Sequence, residues 1–252
     1  MASPSIATKA DNPLLTLVFV LRLTLMALAL LFLVIPHIFY RMIGRPSPMV
    51  MAFLNVAGWI GGLRIHTKGQ RLTHHVLFIA NHISWLDILA LGGAARSAFV
   101  SKAEIARTPL VGWLADQNHT LYVEREARRD IGLQTQQLRD ALQSGRPVTL
   151  FPEGTIGTGD GMLPFRPALL QAVVPTPENV QIQPVYLDYG ADTSDIVWLD
   201  GESGVDNFRR LLSRLKPIGL TIHYLEPLDV GPQMDRKQLA EAARSAICAV
   251  MR

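Results

Sequence analysis

Asn81-His82-Ile83-Ser84-Trp85-Leu86-Asp87 places a histidine and an aspartate five residues apart, directly after the apolar run Val76-Leu77-Phe78-Ile79-Ala80. An imidazole can take a proton from an alcohol near neutral pH. A carboxylate on its other ring nitrogen would fix the tautomer and stabilise the imidazolium. One helix cannot supply that pairing, because residues five apart lie ~140° around its axis. The pairing works if His82 ends a strand and Asp87 falls in the first turn of the next helix. Ser84 as N-cap, with Asp87 three residues on, predicts such a helix start. A plainer reading uses the same residues: Ser-x-x-Asp is close to a capping box, and acidic side chains favour helix N-termini. Taken alone, the heptad favours the cap.

A second group follows another apolar run: Phe151-Pro152-Glu153-Gly154-Thr155, leading into Ile156-Gly157-Thr158-Gly159-Asp160-Gly161. Glycine-rich loops can turn successive N–H groups toward an anion. This one lacks the Gly-Lys-Ser/Thr of a P-loop, and an ordinary surface turn is the commoner meaning of such a stretch. Glu153, just past a buried strand, lies at the C-terminal edge of a sheet, where open α/β sheets bind ligands. Basic residues form the third group. Arg suits phosphate because its planar fork binds two oxygens. Arg125 follows a strand and shares the edge with His82 and Glu153. Arg128 and Arg129 read as a solvated helix face, and Arg166 could serve either purpose.

Those residues need a frame. Strands are predicted at His75–Ala80, Ala98–Ser101, Thr120–Glu124, Pro147–Phe151, Val180–Leu187 and Leu220–Leu225. Helices are predicted between them at Ser84–Gly93, Pro109–Ala115, Ala127–Gln143, Pro164–Val173, Val205–Leu215 and Met234–Met251. Strands broken by helices argue for a mixed, largely parallel α/β sheet flanked by helices. That domain runs over 64–252.

Residues 1–63 are different. Leu14 to Ile35 carries one charge, Arg22, and as a helix would cover ~33 Å, enough for a hydrocarbon core. Pro36 is expected to end it. Met49 to Leu63 is apolar but short, and suits an interfacial segment. A span and a monotopic hairpin therefore compete, with a cleaved signal peptide disfavoured by the length of the apolar run. Arg41 and Arg45 put the C-terminal side on the cytoplasmic face.

Hydrophobic residues make up 49% of the 252 and charged ones 18%, with a net charge of +3. An apolar front on a basic chain fits anionic lipid or phosphorylated substrates. Scattered Lys and Arg with no aromatic ladder argue against nucleic acid. Cys248 rules out an internal disulfide and reads as a buried structural thiol. No Gly-x-Ser-x-Gly elbow marks a serine hydrolase, and no His-Glu-x-x-His or paired-cysteine motif marks zinc.

Together the segments resemble the lysophosphatidic acid acyltransferase family, within the glycerolipid acyltransferases. Asn81-His82 through Asp87 matches its His-x4-Asp motif, and Tyr122-Val123-Glu124-Arg125 resembles the second motif. Phe151-Pro152-Glu153-Gly154-Thr155 matches the third, and Ile182-Gln183-Pro184-Val185-Tyr186 resembles the fourth. Many relatives continue the third motif with Arg-Ser, where Ile156-Gly157 stand here. The resemblance implies acyl transfer from acyl-CoA or acyl-acyl carrier protein to the sn-2 hydroxyl of lysophosphatidic acid, without metal or cofactor. His82 would be the base and Asp87 its orienting partner. Glu153 would meet the acceptor's glycerol and Gly154 would admit its phosphate, Thr155 would belong to the same substrate site, and Arg125 and Arg166 would supply charge. Another lysolipid, such as lyso-ornithine lipid, is the alternative acceptor. A non-catalytic membrane lipid-binding protein is the alternative class.

Overall fold

The computed structural model describes residues 12–123, 131–157, 159, 161–231 and 233–251. Arg125, Arg128 and Arg129 lie outside the described residues. The elements, in chain order, are α1 (Pro13–Met42), α2 (Met49–Ile60), β1 (Leu63–Lys68), β2 (Val76–Ala80), α3 (Leu86–Ala94), β3 (Ala98–Lys102), α4 (Ala103–Ala106), α5 (Pro109–Gln117) and β4 (Leu121–Val123). They continue with α6 (Ile131–Gln143), β5 (Val148–Leu150), β6 (Gln181–Asp188), α7 (Thr193–Ile196), α8 (Gly204–Leu212), β7 (Ile218–Tyr224) and α9 (Arg236–Cys248).

The strands form one seven-stranded sheet in the order β1-β7-β6-β2-β5-β3-β4. The β6–β7 pair is antiparallel and the other pairs are parallel. Five strands thus end at one edge, and β1 and β7 run the other way. Central β2 is buried along its whole length. Its side chains alternate between faces, as the pleat requires. Val76, Phe78 and Ala80 pack with Leu86 and Leu91 of α3 and with Leu220 and Ile222 of β7. Leu77 and Ile79 pack on the opposite face with Leu142 of α6 and with Leu239, Ala243 and Ile247 of α9. Burying each large apolar side chain is worth about 1.5–3 kcal/mol, so β2 is anchored from both sides before its chemistry begins.

Several expected boundaries shift. The helix expected over Pro164–Val173 is a 3-10 turn at Pro167–Val173. Strand β1 was not anticipated, because Leu-Arg-Ile-His-Thr-Lys reads as polar; it is an edge strand whose polar side chains face outward. It starts at Leu63, so the second N-terminal helix stops at Ile60. Pro36 sits inside α1 rather than ending it. A proline removes one bond to the preceding turn, and 30 residues of otherwise regular helix absorb that loss. Cys248 is exposed, not buried. The apolar stripe of α9 runs through Leu239, Ala243 and Ile247, and Cys248 lies ~100° from Ile247 around the axis.

Helix α1 is long and apolar enough to cross a membrane by length and composition. Its outward face exposes Leu17, Leu28, Leu31, Phe32, Ile35 and Phe39. Its inner side is tied to the α/β domain at two points. Near its start, Arg22 donates to the Leu212 carbonyl at 3.2 Å, and Phe19 meets Phe208 edge-on at 6.4 Å between centroids. Near its end, the side-chain oxygen of Gln117 on α5 lies 3.0 Å from His37 Nε2 and 3.0 Å from Arg41 Nη1. Helix α2 packs closely on α3. A Cβ at Gly92 would come within 2.5 Å of Leu54, and one at Gly93 within 2.5 Å of Asn55, so only glycine permits this approach.

Candidate active site

The β2 strand delivers its next residues to the edge where β6, β5, β3 and β4 also end. Asn81 fixes that delivery. Its side-chain amide donates to the Leu187 carbonyl at 3.1 Å, and its oxygen accepts from Leu187 N–H at 2.8 Å. The end of β2 is thereby clamped to the end of β6.

His82 follows, held on four sides. Its backbone N–H donates to Glu153 Oε1 at 2.9 Å, and its carbonyl accepts from Gly157 N–H at 2.7 Å. Its ring stacks on Phe151, 4.2 Å between centroids and 18° between planes. Its Nδ1 lies 2.8 Å from Asp87 Oδ2. Asp87 is fully buried, whereas the His82 side chain keeps 16% exposure. Because a carboxylate only accepts, Nδ1 carries the hydrogen and Nε2 is left as the proton acceptor.

Asp87 comes from the first turn of α3. Oδ2 also accepts from Ile83 N–H at 2.8 Å and Ser84 N–H at 3.0 Å. Tyr189, at the end of β6, donates its hydroxyl to Oδ1 at 2.5 Å. Half of the capping box is therefore present: the carboxylate reaches back to Ser84 N–H. The other half is absent, since Asp87 N–H donates to the Ser84 carbonyl rather than to its hydroxyl. The helix starts at Leu86, two residues later than expected.

Glu153 is turned inward. It is 3% exposed, and its second oxygen accepts from Leu163 N–H at 3.0 Å. Burial pushes its carboxyl above the usual range, and the two backbone N–H groups partly offset this. Through these two bonds Glu153 holds the histidine's backbone and the following loop. Gly154 turns the chain at φ +70°, and Thr155 is exposed. Arg166 is exposed, with its backbone N–H on the Pro152 carbonyl at 2.8 Å. Lys102, which the sequence reading passed over, is exposed at the end of β3 on the same edge.

Tyr189 was also missed. It lies 102 residues from Asp87, and only the pairing of β2 with β6 brings them together. Its position just past the fourth motif was the one available signal. Burial, then the neighbouring Asp87 charge, holds its phenol well above the ordinary value, so it stays a donor.

A base, its orienting carboxylate and a stacked shelf at a sheet edge are the parts of a proton-abstracting site. A family model described as Acyltransferase matches residues 62–188. A lyso-ornithine lipid O-acyltransferase of Rhodobacter capsulatus is 32% identical, over 88% of this chain and 86% of the relative. The chain belongs to the glycerolipid acyltransferases. Other acyltransferases of this kind are similar. A lyso-ornithine lipid O-acyltransferase of Pseudomonas aeruginosa is 33% identical over 73% of this chain and 70% of its own. A 1-acyl-sn-glycerol-3-phosphate acyltransferase of Neisseria gonorrhoeae is 28% identical over 75% and 74%. The crystal structure of a 1-acyl-sn-glycerophosphate acyltransferase from Thermotoga maritima shares the acyltransferase fold, with a TM-score of 0.70, 22% identity, and 95% and 94% of the two chains covered.

Proposed function

We propose that the protein transfers an acyl chain from a thioester, acyl-CoA or acyl-acyl carrier protein, to the hydroxyl of a lysolipid. The observation that carries this reading is the 2.8 Å contact between His82 Nδ1 and the fully buried Asp87. His82 Nε2 takes the hydroxyl proton as the oxygen attacks the thioester carbonyl. The new ester forms as the C–S bond breaks, and the proton on His82 passes to the departing thiolate. Asp87 fixes the tautomer and stabilises the imidazolium between those steps. No acyl-enzyme is needed.

Among the described residues, Lys102 and Arg166 are exposed cations near this edge, which suits an acceptor headgroup that carries a carboxylate or a phosphate. Lyso-ornithine lipid is the favoured acceptor. Ile156-Gly157 replace the Arg-Ser of many relatives, and a zwitterionic ornithine headgroup, with its carboxylate beside an ammonium, asks for less positive charge than the doubly charged phosphate of lysophosphatidic acid. The names of the relatives from Rhodobacter capsulatus and Pseudomonas aeruginosa point the same way. Lysophosphatidic acid is the second reading, supported by the relative from Neisseria gonorrhoeae.

The ties of α1 support a monotopic rather than a spanning attachment. Its two ties to the domain, at Arg22 and at His37 and Arg41, are ~22 Å apart along the axis. A helix tied to the α/β domain at both points is read as lying along the bilayer surface, with its outward apolar face in the lipid. We place the catalytic domain on the cytoplasmic face, where acyl-CoA and acyl carrier protein are found.

The test is purified protein in nanodiscs with labelled acyl-CoA or acyl carrier protein and a panel of lysolipids. Lyso-ornithine lipid should be acylated at least ~10-fold more efficiently than lysophosphatidic acid. The reverse order would exchange the two acceptors, and release of free fatty acid alone would overturn acyl transfer.

A further inference from the structure

Tyr189 lies beyond the four motifs, yet its hydroxyl touches the Asp87 carboxylate. Asp87 Oδ2 is occupied by His82 Nδ1 and by the N–H groups of Ile83 and Ser84. Oδ1 accepts from the Tyr189 hydroxyl at 2.5 Å. We propose that Tyr189 is a positioning residue of the acyl transfer, locking the Asp87 carboxylate so that Oδ2 faces His82 and setting how strongly that carboxylate favours the imidazolium. The inference rests on His82 acting as the base.

The placement is rigid. Ala80 of β2 pairs with Val185 of β6, Asn81 clamps Leu187, and Tyr189 follows two residues later. Its ring is part of the core cluster that also holds Leu86. A carboxylate buried on every side cannot turn to water for a partner. Without the hydroxyl, Oδ1 would be left inside an apolar cluster, and an unsatisfied buried acceptor is costly. Two consequences follow. The carboxylate is then anchored through Oδ2 alone and can pivot about it. Its charge is also shared among fewer donors, so it draws the histidine's proton more strongly. Glu153 from the loop after β5 and Tyr189 just past β6 are titratable groups coupled to the His82–Asp87 pair.

The experiment is Tyr189→Phe in the full chain, assayed with a saturable acceptor across pH. The expected result is a fall of ~10-fold in kcat with KM within about twofold, and an acid limb of the pH–rate profile shifted upward by about half a unit. Wild-type kcat and an unmoved acid limb, even with a lowered Tm, would make Tyr189 a packing residue and overturn the proposal. Site-specific 3-fluorotyrosine at position 189 keeps the shape and strengthens the donor. It should move the acid limb in the opposite direction, and a shift of the same sign as Phe overturns the proposal even if the Phe variant does not fold. His82→Ala separates the two readings: if it retains turnover, the base assignment has failed whatever Tyr189 does.

Discussion

The sheet edge around His82 and the N-terminal helix α1 use opposite rules for polar and apolar residues. At the edge, the polar side chains nearest His82 are buried and paired: Asn81, Asp87 and Glu153 are each 3% exposed or less and each hydrogen-bonded. On α1, large apolar side chains stand exposed along the helix, Phe32 at 75%. The first arrangement excludes water from a carboxylate that must hold a fixed geometry. The second leaves apolar area uncovered, which in a stable protein marks a surface meant for lipid or a partner. The two are joined by Phe19, Phe208 and Trp85, with Phe208 and Trp85 rings 5.2 Å apart. The Trp85 indole in turn donates to Asn207 at 3.1 Å.

The largest separation of the two regions should come from the edge. His82→Ala or Asp87→Asn should lower acyl transfer by roughly 10²–10⁴-fold, with membrane attachment in flotation assays unchanged. Near-wild-type turnover in both variants would remove the mechanism. The converse is to replace Leu17, Leu28, Leu31 and Phe32 with Gln. Those side chains are exposed, so the Tm of detergent-solubilised protein should stay within a few degrees. Transfer to an acceptor embedded in vesicles should fall ~10-fold or more, while transfer to a short-chain, water-soluble acceptor holds. Equal loss on both acceptors would mean that the face serves folding rather than lipid.

The smallest effect lies in the bridge between the regions. Arg210 binds Glu202 at 2.6 Å, and Glu202 accepts from Asn207 at 2.8 Å. The Arg210 guanidinium holds the Glu202 carboxyl down to about 2, against about 4.3 in an unfolded chain. The stabilisation is therefore complete above the unfolded value and is lost as pH falls through the folded one. Glu202→Gln should cost about 1 kcal/mol at pH 7, discounted for partial exposure, and urea melts should show the gap to wild type closing toward pH 2. A gap that persists there would assign the cost to packing.

Much of the frame was legible because it is local. The all-apolar run of β2 and the helix expected over Met234–Met251 each follow from neighbours within a few residues. The His82–Asp87 pairing was legible for the same reason: a strand end and a helix start, five residues apart, have few ways to arrange themselves. Glu153 was recognised as belonging to the site, but its direction was not legible. Its partners are His82 and Leu163, 71 and 10 positions away, and only the β2–β5 pairing decides that it faces inward. The polar look of β1 hid a strand because edge strands bury one side only. Pro36 misled because a single lost hydrogen bond does not outweigh the rest of a long helix.

By itself the sequence determined the alternation of strands and helices, the apolar front, and the residue types that meet at the sheet edge. Short-range periodicity and side-chain chemistry carry that information. Tertiary structure alone decided that Tyr189 closes on Asp87, that Glu153 braces the histidine's backbone, and that α1 runs along the domain. Each of these contacts joins residues about 70 to 190 positions apart. Such pairs are brought together by strand order and helix packing, and no local pattern in the chain encodes them.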